Sequence, residues 1–142
     1  MTDRDVVAAK LAELEDRLGR VRANGRGSAA ELAADRDASD LVAFNLMLAV
    51  QTCLDVASHI IADERWPPAG TLAESFHRLA EHGVLTAATD EALGRAASFR
   101  NVVAHGYGRV VADLLYAAAT DGLRDLERFA HEVAAWISRT DT

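Results

Sequence analysis

Cysteine, proline, lysine and strand-forming patterns are scarce in this chain of 142 residues, and each scarcity narrows what the protein is. Cys53 is the one cysteine, so no internal disulfide is available. It lies in the apolar run "LAVQTCLDV" and reads as a small buried hydrophobe rather than a nucleophile. Lys10 is the one lysine among 15 basic residues. The net charge is −7, which excludes a basic nucleic-acid clamp spread over the whole surface but leaves room for a local basic groove. Arginine in place of lysine supplies planar, forked recognition of phosphate, and the codon bias of a GC-rich genome has the same effect. The first residues, Met1, Thr2, Asp3, Arg4 and Asp5, are unlike a secretory leader. No uninterrupted run approaches the roughly 18 apolar residues of a membrane span. The expected setting is cytoplasmic, away from a membrane.

What the chain has in abundance is helix. Ala, Leu, Glu and Arg dominate, and the apolar residues recur at helical spacing. Thr2 is placed to cap a first helix carrying Val7, Leu11, Leu14, Leu18 and Val21, a single apolar seam that Gly25 and Gly27 break. Ser28 and Glu31 form a capping box and open a long helix to about Arg65. Its later part, "LVAFNLMLAVQTCLDVASHII", is apolar on most sides and predicts the central helix of a bundle. Trp66, Pro67, Pro68 and Gly70 end it. Thr71 and Glu74 form a second box and start a short helix through Phe76 and Leu79, closed by His82 and Gly83. A fourth helix starts near Thr86. A fifth runs from about Val110 to Ser138, with Leu114, Leu115, Leu123, Leu126, Phe129, Val133 and Ile137 as its apolar positions. There is no repeat and no low-complexity linker. The expectation is one domain over residues 1–142, all-α, an antiparallel bundle of about five helices.

One stretch departs from this plain pattern. "SFRNVVAHGYGRV" places Arg100, Asn101, His105 and Tyr107 together, with Gly106 and Gly108 flanking the tyrosine. At roughly 100° per residue, Asn101 and His105 share a helical face, whereas Arg100 and His105 diverge by roughly 140°. Either the helix unwinds near His105, with Gly106 as the break, or a second copy completes the site across a two-fold axis. Histidine moves protons near neutral pH, and arginine binds phosphate and the extra charge of its transition state. Metal-free RNA cleavage needs those two functions. One histidine cannot be base and acid in the same step; two, one per subunit, can. Asn101 can orient the imidazole or a phosphate oxygen, and an exposed Tyr107 can stack on a base. A plainer account exists. Arg100 and His105 also suit the last turns of a helix, with Gly106 as its C-terminal cap.

The segment "FRNVVAHGY" resembles the R-x4-H-x-Y signature of the HepT family, within the HEPN superfamily. The likeness extends over "LAVQTCLDVASHII", "TLAESFHRLAEHGVL" and "LRDLERFAHEVAAWI", roughly Asp35 to Trp136. The residues after the motif, "GRVVAD", follow the family pattern less closely. The resemblance implies an all-α homodimer with both motif copies lining one cleft. It implies the ribonuclease toxin of a toxin–antitoxin pair, controlled by a minimal nucleotidyltransferase of the MntA kind that adds AMP to the motif tyrosine. Carried onto this chain, Arg100 and His105 would be catalytic, Asn101 supporting, and Tyr107 the AMP acceptor. No cofactor is implied. The alternative is a non-catalytic helical partner that binds nucleotide or a nucleotidyltransferase.

The other candidates have simpler readings. His77, Glu81 and His82 in "FHRLAEH" lack a zinc-motif spacing, and the two histidines diverge on a helix. Glu74 with His77 is a lone Glu-x-x-His pair, where a di-iron bundle needs two. His59 reads as a buried or interface histidine and His131 as solvent-facing. Trp66 and Trp136 read as aromatic packing at helix ends. No metal site is expected.

Overall fold

The structure, a computed structural model, describes residues 2–105 and 112–140. Among these residues there are six helices and no strand: α1 (Arg4–Asn24), α2 (Ala29–Ala34), α3 (Arg36–Asp63), α4 (Leu72–Glu81), α5 (Ala87–Ala104) and α6 (Ala112–Thr140). The apolar seam of α1 is buried at Val7, Leu14, Leu18 and Val21, with Leu11 half-buried. It lies antiparallel to α3: Asp3 N–H donates to Asp63 Oδ2 at 2.8 Å, and Arg17 Nη1 to Asn45 Oδ1 at 3.1 Å. Asp3, not Thr2, caps α1, its carboxylate accepting from the Asp5 and Val6 amides. The Thr2 hydroxyl instead donates to Glu64 Oε1 at 3.1 Å, which pins the start of the chain to the end of α3.

The helix expected from Ser28 to Arg65 is two helices. Asp35 is in an extended conformation; it ends α2 and caps α3, accepting from the Ala38 amide at 3.1 Å. Arg26 Nη2 lies 2.7 Å from its other oxygen. The Ala38 amide first, and Arg26 second, hold the Asp35 carboxyl below the usual carboxylate range. An aspartate inside an alanine-rich run competes for backbone amides and makes a break that helix propensity alone does not reveal.

Both expected capping boxes form, with one shift. The Ser28 and Thr71 hydroxyls accept from the Glu31 and Glu74 amides. The glutamate carboxylates reach back one residue further than the cap, to the amides of Gly27 at 3.1 Å and Gly70 at 2.7 Å. A side chain at either glycine would meet that carboxylate, with Cβ 3.1–3.2 Å from Oε2.

α3 is the hub. Thirteen of its residues are buried, among them Val42, Leu46, Val50, Cys53, Val56, Ile60 and Ile61. Each large apolar side chain taken fully from water stabilises the fold by about 1.5–3 kcal/mol. Against the expectation from uninterrupted runs, an 18-residue window of α3 reaches the mean hydropathy of a membrane span, 1.6. Over half of that window is buried inside the bundle, against its neighbouring helices. Cys53 is fully buried, and burial pushes its thiol pKa well up, away from nucleophilic use. Phe76 of α4 meets Phe129 of α6 edge to face at 5.8 Å. α5 runs antiparallel to α6 and is pinned at its start: Glu132 accepts from the Thr86 amide and from the Thr86 and Thr89 hydroxyls. Leu114, expected to be apolar core, is 46% exposed.

Just past α3 and its cap Glu64, Arg65 has φ +59°. Its amide and that of Trp66 return to the Ala62 and Ile61 carbonyls, the wrapped end that glycine usually closes. An L side chain in this region is strained. Arg65→Gly is expected to stabilise the protein by up to about 1 kcal/mol. Thermal unfolding checks this, and a lowered midpoint would contradict the assigned conformation.

Candidate functional site

The α5 helix stays regular through Ala104, and His105 is its cap, with its amide donating to the Asn101 carbonyl at 3.1 Å. Regularity fixes the directions of the motif side chains. Arg100 is half-buried and reaches across to α3, while His105 is exposed. The two do not converge within the helix, as the five-residue offset predicted. Tyr107, Gly106, Gly108 and Arg109 lie outside the described residues.

What Arg100 touches was not anticipated. Its Nε and Nη2 both donate to Gln51 Oε1, at 3.1 and 2.7 Å. Its Nη1 donates to Asn101 Oδ1 at 3.2 Å. Gln51 in turn donates through Nε2 to Asp55 Oδ1 at 3.1 Å, and Asp55 Oδ2 lies 3.8 Å from Lys10 Nζ. A chain of polar contacts therefore runs from α1 through α3 to the motif arginine. Among the described residues no carboxylate lies within ion-pair distance of Arg100, whereas Arg22, Arg26, Arg78 and Arg128 all have one. The only sequence signal for Gln51 was a polar residue four positions before Asp55 in the otherwise apolar "LAVQTCLDV".

Gln51 belongs to an unusual stripe. On α3, Leu41, Phe44, Leu48, Gln51 and Asp55 follow one another at gaps of 3, 4, 3 and 4, which puts them on one face. Leu41 is 46% exposed and Phe44 is 51% exposed. Met47 and Leu48 are half-buried beside them, and Val102 of α5 is exposed as well. The one side of α3 left uncovered is thus apolar and leads directly to the arginine clasp.

Three of the remaining histidines lie against partners on the scaffold. His77 is exposed and bridges α4 to α5, with Nδ1 2.9 Å from Asp90 and Nε2 3.3 Å from Glu81. His82 stacks on Trp66 with ring centres 3.8 Å apart, and Trp66 meets Trp136 edge to face. His59 Nε2 lies 3.0 Å from Asp63 Oδ2 without the alignment of a hydrogen bond. His131 is exposed. Among the described residues no three His, Cys, Asp or Glu side chains converge as a metal site.

A family model for HepT-like ribonucleases matches residues 10–133. This chain belongs to that HepT-like family. The mRNA nuclease HepT of Shewanella oneidensis is 24% identical over 131 residues, covering 92% of this chain and 98% of that one. The tri-AMPylated HEPN toxin of the same organism, solved in complex with its MNT antitoxin, superposes with a TM-score of 0.85 at 23% identity. That match covers 94% of this chain and 99% of the toxin. YutE of Bacillus subtilis, a cytosolic protein of unknown function, shares the fold at 14% identity with a TM-score of 0.84, covering 98% of this chain and 93% of YutE.

The hydrogen bond from His77 to Asp90, foremost, and the Asp90 charge next raise the His77 pKa above 6.5. A raised folded value means the α4–α5 bridge contributes fully below pH 6.5 and is lost as pH rises through the folded pKa. A proton-NMR titration is expected to place His77 above 6.5 in the native protein and at a lower midpoint in Asp90→Asn. An identical midpoint in both proteins would contradict the bridge.

Proposed function

We propose that this protein is the toxin of a toxin–antitoxin pair, a homodimeric and metal-independent endoribonuclease of the cytoplasm. Arg100 and His105 are its catalytic residues, and Asn101 supports them. The observation that carries this reading is the state of Arg100. In a HepT-like chain, the motif arginine is aimed by two neutral amides and keeps its full charge for a phosphate. His105, exposed at the end of the same helix, supplies an imidazole for proton transfer.

The homodimer forms through the exposed α3 face. Leu41 and Phe44 give an apolar patch of the kind that soluble proteins seldom leave in water. It borders the Arg100 clasp, so pairing two copies there brings two motifs to one cleft. Two histidines then serve as base for the 2′-hydroxyl and acid for the leaving 5′-oxygen, and the arginines hold the phosphate.

Control is by a nucleotidyltransferase antitoxin of the MntA kind, with Tyr107 as the AMP acceptor. The likeness to a tri-AMPylated HEPN toxin bound to an MNT antitoxin supports that partner. AMP two residues from His105 would bring a phosphodiester charge and an adenosine into the cleft. Arg100 would then face a tethered phosphate in place of RNA.

His105→Ala is expected to lose RNA cleavage by at least 100-fold while remaining dimeric, and the wild type to cut equally well in excess chelator. Unchanged cleavage by His105→Ala, or its loss in chelator, would sink the reading. Phe44→Glu is expected to give an inactive monomer in sedimentation, and a fully active monomer would contradict the dimeric site. Tyr107→Phe is expected to stay toxic in cells that make the antitoxin and to gain no AMP by mass spectrometry. Normal neutralisation of that variant would remove Tyr107 as the acceptor.

A further inference from the structure

Gln51 does more than fill a position beside Arg100, and its orientation is dictated by its neighbours. Its oxygen faces the guanidinium and its NH2 faces the Asp55 carboxylate. Turned over, it would set donor against donor at Arg100 and acceptor against acceptor at Asp55. The amide is therefore locked from both ends, and Lys10 steadies Asp55 from α1.

A guanidinium has five N–H groups. Two go to Gln51 and one to Asn101, which leaves one on Nη1 and one on Nη2. Two N–H groups are what a forked contact with two phosphate oxygens takes. A carboxylate at position 51 would make the same two hydrogen bonds but would also pair with the charge and compete with the phosphate. The amide aims the arginine without neutralising it.

We infer that Gln51 is the positioning residue for Arg100, holding the guanidinium by an uncharged clasp so that its charge and its remaining N–H groups serve the RNA phosphate. This rests on the reading of Arg100 as a phosphate-binding residue of a ribonuclease.

The test uses the full chain as its native assembly and a fluorophore-quencher single-stranded RNA of mixed sequence, with kcat, KM and their salt dependence measured for four proteins. Arg100→Ala reports on the underlying reading and is expected to be inactive. Gln51→Met removes the clasp and is expected to lower kcat at least about tenfold, because the guanidinium is no longer aimed. Gln51→Glu keeps the hydrogen bonds to Arg100. It loses the donor to Asp55 and sets a carboxylate against it, so it is expected to melt below the wild type, to raise KM at least about tenfold and to flatten the salt dependence, with kcat held closer to the wild type than in Gln51→Met. A purely structural role predicts instead that Gln51→Glu leaves KM and the salt dependence at their wild-type values, and that result would overturn the inference. Wild-type kinetics in both Gln51 variants, with Arg100→Ala inactive, would also overturn it while leaving the function intact. Wild-type cleavage by Arg100→Ala would overturn the reading beneath it.

Discussion

The structure depends on one helix being apolar almost all the way round. α3 packs against every other helix, so its position fixes theirs. Removing its side chains from water supplies much of the drive to fold. Covering such a helix on all but one side also leaves a residual strip. On that strip the bundle places Leu41, Phe44 and Leu48 and then, one turn on, Gln51. The geometry of the core and the geometry of the site thus share one scaffold.

The site follows from two constraints on α5. Its start is fixed to α6 by Glu132, which satisfies the Thr86 amide and the Thr86 and Thr89 hydroxyls. Its regular course then delivers Arg100 to α3 and ends at His105. A five-residue offset on an unbroken helix keeps those two side chains apart. The catalytic reading therefore needs a second copy, and the uncovered face of α3 offers it a place. The electrostatics point the same way. The chain is acidic overall, yet among the described residues the motif arginine hydrogen-bonds to amides and to no carboxylate, so its charge is not paired directly.

Much of the fold was legible in the sequence because it rests on local rules. The seam of Val7 to Val21, the capping boxes at Ser28 and Thr71, and the stop after Arg65 all depend on residues close in the chain. The break at Asp35 was missed because the alanine-rich run around it favours an unbroken helix, and the carboxylate's capture of the Ala38 amide, backed by Arg26, is not visible in propensity. Asp3 displaced Thr2 as the cap of α1 because Glu64 took the threonine hydroxyl, a contact across 62 positions. At the site, Arg100, Asn101 and His105 stood out by residue type. Gln51 did not, because its importance lies in a pairing across 49 positions.

The central claim is that one cleft uses both copies of His105. The most direct measurement is the cleavage rate of a purified mixed dimer, one subunit wild type and the other His105→Ala, isolated by two different tags. A cleft that takes its base from one subunit and its acid from the other predicts activity far below half that of the wild-type dimer. A mixed dimer with half the wild-type rate would show that each subunit works alone, and would contradict the account.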